Sequence, residues 1–281
     1  MLISAVASRI SLSWIEHFHQ NASPLGIPWH EPHFLTREER RAVASSIQQF
    51  QLGEGARGRG FLRCGEAHAK RANDFHYVEA LRLFIAEEQR HSALLARFLN
   101  REGIPQVQSH WVDSSFRKFR KLAGLEVCAA VLVTAELIAL PYYRALHEAT
   151  ASPVLRAICR RILADEAHHL QFQASTLARV RIDRSERMQF LTSFVHFGFL
   201  AGTAAVVWSG HRRVFRRGGY SFMKLFQECV QHFRKLEASI KRQKSVLKGY
   251  EPMRNVCHDA GVPAWQAKKG DHREYPQDSP M

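Results

Sequence analysis

Two short segments of the sequence place a carboxylate and an imidazole three residues apart. Glu88 and His91 lie in the segment EEQRH, and Glu166 and His169 lie in the segment ADEAHH. Residues three apart on a helix lie on the same face, so each pair can direct an oxygen and a nitrogen toward one metal ion. Both glutamates interrupt apolar stripes with helical spacing, where an uncompensated charge would be costly. The pattern therefore predicts two pairs of buried metal ligands.

Two further glutamates can complete such a site from other helices. Glu136 interrupts a near-apolar run, and Glu54 follows apolar positions at helical spacing. Glu54 and Glu88 are 34 residues apart, as expected for two residues at one height in antiparallel helices, and the 30 residues from Glu136 to Glu166 fit a second such pair. One Glu from each of two helices, with Glu-x-x-His from each of two others, is the ligand set of di-iron and di-manganese four-helix bundles. The segment around Glu54 is rich in glycine, which weakens a helix and its orientation. Glu66 is therefore the alternative residue that this segment could direct inward.

The donor types indicate which metals such a site would hold. A carboxylate-rich set with few imidazoles suits hard, oxygen-preferring metals and does not suit copper. The predicted cofactor is two iron ions, with manganese or a mixed Mn/Fe pair as variants. Core salt bridges, for example of Glu88 with Arg90 or Arg161, are the alternative interpretation of the buried acids. They would leave the paired histidines unexplained, so the metal site is favoured.

The motifs EEQRH and ADEAHH resemble those of the ferritin-like di-iron carboxylate superfamily, nearest to soluble acyl-carrier-protein desaturases and the ribonucleotide reductase small subunit. The resemblance covers roughly residues 37–180 and departs from the pattern at His168, where Arg is usual. It implies that Glu87 and Asp165 hydrogen-bond the ligand histidines across the bundle. A solvent-exposed position on the helix surface is the alternative for both acids.

The resemblance also implies a function. A non-haem di-iron or Mn/Fe site of this kind activates dioxygen to oxidise, hydroxylate or desaturate an organic substrate. The substrate and the electron donor are unknown. Tyr142 and Tyr143 lie about two turns beyond Glu136, so a redox role is one interpretation and a core or rim aromatic is the commoner one. A non-catalytic ferritin-like metal-binding or membrane-associated protein is the alternative. An RNA-modifying di-iron hydroxylase is a third option, suggested by the net charge of +14.

The elements that must position these residues are all helical. We predict an all-α protein, a ferritin-like four-helix bundle with two additional C-terminal helices. Start and stop signals place bundle helices from Thr36, from Asn73 to Arg101, over 116–149 and over 153–180. The predicted divisions are an irregular segment 1–35, the bundle 36–182, accessory apolar and basic helices over 183–248, and a polar tail 249–281.

Composition limits the surroundings and the partners. The five cysteines are scattered without a C-x-x-C motif, which argues against a disulfide framework and fits a cytoplasmic protein. The stretch from Phe190 to Trp208 is uncharged and 19 residues long, close to a membrane span, although packing on the bundle is the favoured interpretation. Residues 211–248 contain 11 basic and two acidic residues with helical apolar spacing. They predict docking to an anionic membrane surface or an acidic carrier protein, and they favour nucleic acid less. Two further expectations are a peripheral location at the membrane and a homodimer.

Overall fold

A computed structural model describes residues 2–22, 26–55, 58–107 and 124–249 of the chain. Every regular element in these ranges is an α-helix, which confirms the predicted all-α class. Apart from Gly249, the predicted polar tail 249–281 lies outside the described residues, as do positions 116–123 of the third predicted bundle helix. The helices are α1 Leu2–Gln20, α2 Arg37–Gly55, α3 Gly58–Ala72, α4 His76–Arg101, α5 Leu125–Glu148, α6 Pro153–Val180, α7 Glu186–Arg217 and α8 Phe222–Leu247.

The central bundle consists of α2, α4, α5 and α6. α2 packs on α4, α5 packs on α6, and α4 contacts α6. Two of the predicted start signals, at Thr36 and Ser152, form as expected, whereas α4 begins at His76 and not at the predicted Asn73, which has a positive φ of 52°. The backbone N–H of Thr36 donates to Glu39 Oε2 at 2.8 Å, the N–H of Glu39 donates to Thr36 Oγ1 at 3.2 Å, and Ser152 Oγ accepts from the N–H of Leu155. These caps set the first residues of α2 and α6, and therefore the height of the ligand residues along each helix.

The glycine-rich part of the sequence after Phe50 packs closely against α4. α2 ends at Gly55 and α3 begins at Gly58. A Cβ atom at Gly58 would lie 2.8 Å from Ile85 Cγ2, and one at Gly65 would lie 2.3 Å from Leu81 Cδ2. A side chain at either position would have to displace these methyl groups, so the two glycines favour a close approach of α3 to α4, which is a packing role and not only a weakness of the helix.

The prediction of an irregular segment over 1–35 is wrong for its first half, because residues 2–20 form α1. Ile10, Trp14 and Phe18 repeat every four residues and are buried. They form the core-facing side of α1, which packs on α4. Pro24, Pro28 and Pro32 follow α1 and dominate the local sequence, which hides the helical period before them.

The two C-terminal helices form as predicted, with Ser185 and Ser221 as their capping residues. α8 packs on α5, α6 and α7, and its buried stripe is the predicted amphipathic face. α7 packs on α5, α8 and α2 along one side. Its backbone departs from helical geometry at His211, with φ −117° and ψ 15°. Among the described residues, only α5 and α7 have the length and the apolar composition that could cross a membrane. Most of the apolar 18-residue stretch of α5 is buried in the bundle.

Candidate metal centre

Four of the predicted ligand residues form one buried cluster between α4 and α6. The ligand atoms of Glu88, His91, Glu166 and His169 all lie within 4.8 Å of one another. His169 Nδ1 is 2.8 Å from Glu88 Oε1 and 3.4 Å from Glu166 Oε2, and His91 Nδ1 is 3.8 Å from Glu166 Oε1. The two Glu-x-x-His segments therefore face each other across the bundle, as their positions in apolar stripes predict.

The inward-facing atoms of this cluster fit a cation. Neither carboxylate oxygen of Glu166 accepts a hydrogen bond, although the side chain is fully buried. Nδ1 of His91 makes no hydrogen bond either, and Nδ1 of His169 faces the Glu88 carboxylate. Buried polar atoms in folded proteins are normally satisfied by protein, water or an ion. Here two carboxylate oxygens and two imidazole nitrogens point into one small volume. These are the ligand atoms that a metal ion would bind.

The other two predicted ligands, Glu54 on α2 and Glu136 on α5, are also fully buried. Tyr143 Oη donates to Glu54 Oε1 at 2.8 Å, and Gln173 Nε2 donates to Glu136 Oε1 at 3.4 Å. The alternative residue Glu66 is exposed, and its carboxylate pairs with Arg82 at 3.3 Å. The inward-facing glutamate of the glycine-rich segment is therefore Glu54.

A second layer of carboxylates holds the outer nitrogens of the two histidines. His91 Nε2 lies 2.9 Å from Asp165 Oδ2, and His169 Nε2 lies 3.0 Å from Glu87 Oε2. Each acid thus contacts the histidine of the opposite helix. Because a carboxylate only accepts, the proton of each neutral ring resides on Nε2, and the lone pair of Nδ1 faces the interior. This arrangement orients both rings for metal binding.

Arginines next to the site pair with this second layer. Arg90 forms an ion pair with Glu87, and Arg161 Nε donates to Asp165 Oδ2 at 2.9 Å. Glu88, which the salt-bridge interpretation paired with these arginines, instead lies against His169. The structure therefore gives no support to that interpretation for Glu88, and it gives the arginines a role in compensating the outer acids.

The electrostatics of the cluster follow from close opposite charges in a buried space. Burial alone would lower the pKa of His169, but the adjacent carboxylates of Glu166, Glu87 and Glu88 raise it well above its usual value. Burial likewise opposes the charged form of His91, and the contact with Asp165 raises its pKa. Against the opposing effect of burial, the histidine contacts lower the pKa of Glu87 and of Asp165. The surrounding carboxylates therefore favour a positive charge inside the cluster, and a metal ion would compete with protons for the two rings.

One residue at the site, Asn21, has no signal in the sequence. Asn21, directly after α1, donates from Nδ2 to Glu87 Oε1 at 2.6 Å and to Asp165 Oδ1 at 2.8 Å. Its carbonyl oxygen accepts from Arg161 Nη2 at 2.7 Å. No local spacing relates Asn21 to residues 66 and 144 positions away, so only the packing of α1 reveals it. Gln173, in contrast, follows His169 by one turn in the same stripe and has a sequence signal.

The remaining residues singled out by the sequence lie on either side of the cluster. Tyr142 Oη is 2.9 Å from Ser46 Oγ, which is 2.7 Å from His211 Nδ1 on α7. Tyr143 is the tyrosine that contacts a predicted ligand, and burial together with the charge of Glu54 raises its pKa well above the usual value. His168, the departure from the family motif, packs its ring against His17 of α1 with the centroids 4.3 Å apart.

No protein-family model matches the chain, and no curated protein matches it in sequence. Solved structures do match. One is a tyrosine-to-phenylalanine mutant of an R2-like ligand-binding oxidase with an aerobically reconstituted Mn/Fe cofactor, at a TM-score of 0.60 and 17% identity. Another is an R2-like ligand-binding oxidase with the same cofactor after a long soak, at a TM-score of 0.52 and 17% identity. In both, the match covers 83% of this chain and 93% of the other. The chain therefore has the ferritin-like helical fold of these oxidases.

Proposed function

We propose that the protein is a non-haem oxidoreductase that holds two iron ions, or a Mn/Fe pair, and activates dioxygen to oxidise, hydroxylate or desaturate an organic substrate. The observation that carries the proposal is the buried cluster of Glu88, His91, Glu166 and His169. Both oxygens of Glu166 and Nδ1 of His91 lack hydrogen bonds although they are buried, and Nδ1 of His169 lies 2.8 Å from Glu88 Oε1, where the two attract only if the ring is protonated or a cation is shared. A metal ion would satisfy all of these atoms together.

The residues that would hold the metals are the six predicted ligands. Each Glu-x-x-His pair gives one carboxylate and one imidazole, and Glu54 and Glu136 give the carboxylates of the other two helices. Four carboxylates with two imidazoles suit iron or manganese. When bound, such a pair of ions supplies the electrons and the open coordination positions that reduction of dioxygen requires.

The protein's own groups orient these ligands and hold protons next to them. Glu87 and Asp165 keep the outer proton of each histidine on Nε2, and Arg90 and Arg161 compensate their charges. Tyr143 keeps its phenolic proton at neutral pH because its pKa is raised, and it directs this proton at Glu54. It is therefore the group placed to hold a proton at that carboxylate.

The solved R2-like oxidases support the choice of metals, because both contain a reconstituted Mn/Fe cofactor. At 17% identity the likeness does not extend to a substrate. RNA as a substrate has little support among the described residues. The arginines that contact the outer carboxylates of the cluster, Arg90 and Arg161, are ion-paired and do not form an uncompensated basic rim.

Metal analysis of the purified protein tests the proposal. Protein from iron- and manganese-supplemented cells, purified without added metal, should contain about two ions per chain. Glu166→Ala or His169→Ala should remove at least one of them, whereas Glu66→Ala, at an exposed position, should remove none. Circular dichroism of each variant separates loss of metal from loss of fold. Protein that contains zinc alone, or no metal, would contradict the proposal.

Dioxygen consumption then separates an oxidoreductase from a non-catalytic metal-binding protein. With a chemical reductant present, the metal-loaded protein should consume dioxygen faster than the Glu166→Ala variant at equal protein concentration. Tyr143→Phe should keep the metal but change the course of dioxygen consumption. A metal-loaded protein that consumes no dioxygen beyond the reductant blank would leave the non-catalytic alternative in its place.

A further inference from the structure

One side of α7 is apolar and open to solvent. Its inner side is buried, with His196, Leu200, Ala204 and His211 against the bundle. On the outer side, a group of large apolar side chains is between 44% and 75% exposed. This group, the outer face, consists of Met188, Phe190, Leu191, Phe194, Val195 and Val206. From Phe190 to Val206 it extends about 25 Å along the helix. Exposed apolar surface of this extent marks an interaction site.

Basic residues stand at both ends of the outer face. Directly after it, beyond the departure from helical geometry at His211, come the exposed residues Arg212, Arg213 and Arg216. At the other end, Lys244 of α8 donates to Gln189 at 3.0 Å, which brings the C-terminal part of α8 beside the start of α7. That part of α8 carries the exposed residues Lys241 and Arg242.

Acidic residues do not offset this charge. No Asp or Glu occurs from Arg187 to Gln227. Residues 186–248 contain 12 Lys or Arg and three Glu, and so account for +9 of the chain's net charge of +14. Two of the three acids have partners inside the protein, since Glu228 pairs with Arg144 and Glu237 accepts from Ser193. The surface around the outer face is therefore strongly and uniformly positive.

We propose that the outer face of α7 docks the protein onto an anionic membrane, with the helix lying in the plane of the lipid headgroups. Apolar side chains would enter the acyl boundary while the flanking Arg and Lys bind lipid phosphates, as in interfacial amphipathic helices. α7 lies on the membrane and does not cross it, because its inner side is tied to the bundle. His196 Nε2 is 2.9 Å from Thr134 Oγ1 of α5, and His211 Nδ1 is 2.7 Å from Ser46 Oγ of α2.

The charge distribution favours lipid over a second copy of the chain. A dimer formed through two outer faces would bring together surfaces that have no acidic residue to pair with the flanking arginines. An anionic lipid surface satisfies the apolar and the basic parts at once. The sequence predicted a docking surface over residues 211–248, which comprise the end of α7 and the basic helix α8. The exposure of α7 instead makes α7 the inserted element and α8 an electrostatic contributor.

Vesicle co-sedimentation of the full-length protein tests this proposal. Vesicles of phosphatidylcholine with phosphatidylglycerol should bind the protein in low-salt buffer, vesicles of phosphatidylcholine alone should bind it less, and added salt should weaken binding. Phe190→Gln with Phe194→Gln should weaken binding about tenfold or more, since both rings leave water on docking. Arg212→Gln with Arg213→Gln and Arg216→Gln should weaken binding and reduce its salt dependence.

Matched variants away from α7 serve as controls. Phe75→Gln removes an apolar side chain that is 66% exposed, and Arg37→Gln with Arg41→Gln removes exposed charges from α2. Both should bind vesicles like the wild type. Failure to bind anionic vesicles would overturn the proposal, as would full binding by the Phe190 and Phe194 variant. If the wild type does not bind vesicles and is a dimer that the Phe190 and Phe194 variant converts to a monomer, the outer face is instead the interface between two copies of the chain. A large fall in thermal stability of the variant would show that the chain itself covers this face.

Discussion

α5 and α7 have similar composition and opposite surroundings. Both are long and apolar enough to span a membrane. In the apolar 18-residue stretch of each helix, however, the buried share is 78% in α5 and 22% in α7. α5 packs against α3, α6, α7 and α8, whereas α7 has neighbours along one side. Apolar length therefore does not distinguish a core helix from a surface helix in this protein.

The positions of the polar residues do distinguish them. On α5, Glu136 points inward and is held by Gln173, so the apolar helix encloses a predicted ligand. On α7, the polar residues His196 and His211 point inward, and the outer side is apolar. A helix with a solvated outer side normally carries its charges there. The absence of charge from Met188 to Gly210 is the sequence feature on which the proposed docking to lipid rests.

The largest expected effect concerns the core of α5. Leu137→Ala should lower the free energy of unfolding by about 2–5 kcal/mol, because the side chain is fully buried and its removal leaves a cavity. Val127→Ala on the same helix is the matched control, since Val127 is 45% exposed and should cost much less. Chemical denaturation of both variants measures the difference. Equal effects would mean that α5 is not enclosed as described.

The next effect concerns the contact that joins α5 and α7. Burial, with a contribution from the charge of Arg181, lowers the pKa of His196 to about 4. In the unfolded chain this pKa is about 6.5, so the unfolded state takes up the proton first as pH falls. The unfolding free energy should therefore fall between about pH 6.5 and pH 4, by at most about 3 kcal/mol from this residue.

Replacement of the histidine isolates this contribution. The His196→Gln variant should lose part of the pH dependence of stability, whereas His19→Gln, at an exposed position, should keep it. Denaturation at a series of pH values between 4 and 7 measures both. If the wild type and His196→Gln lose stability in parallel on acidification, His196 does not titrate as its burial requires.

The extent to which the sequence predicted the structure differs between these regions for physical reasons. Glu88, Glu136 and Glu166 were predicted to be buried because a charge within an apolar stripe has no other place in a helical bundle, and all three are buried. Their role as metal ligands stays a prediction. The caps at Thr36 and Ser152 were predicted correctly because capping depends on residues within one turn.

Features that depend on contacts between distant segments were not predicted. Asn21 reaches the site only because α1 packs on α4, and the sequence around it is dominated by proline. The close approach of Gly58 and Gly65 to Ile85 and Leu81 depends on how α3 packs on another helix, α4. Packing of α7 on the bundle was expected for the whole uncharged stretch, but the structure shows it for one side only. Periodicity shows that a helix has an apolar side and does not show what covers that side.

The smallest expected effect concerns the outer face of α7 in solution. Leu191→Ala and Val195→Ala remove side chains that are 53% and 63% exposed, so each should change the free energy of unfolding by less than about 0.5 kcal/mol. Leu200→Ala, on the inner side of the same helix, should cost about 2–5 kcal/mol because Leu200 is fully buried. Chemical denaturation of the three variants without lipid measures the contrast within one helix. Losses of similar size on both sides would mean that the outer face is covered in the folded protein, and α7 would then be a core helix like α5.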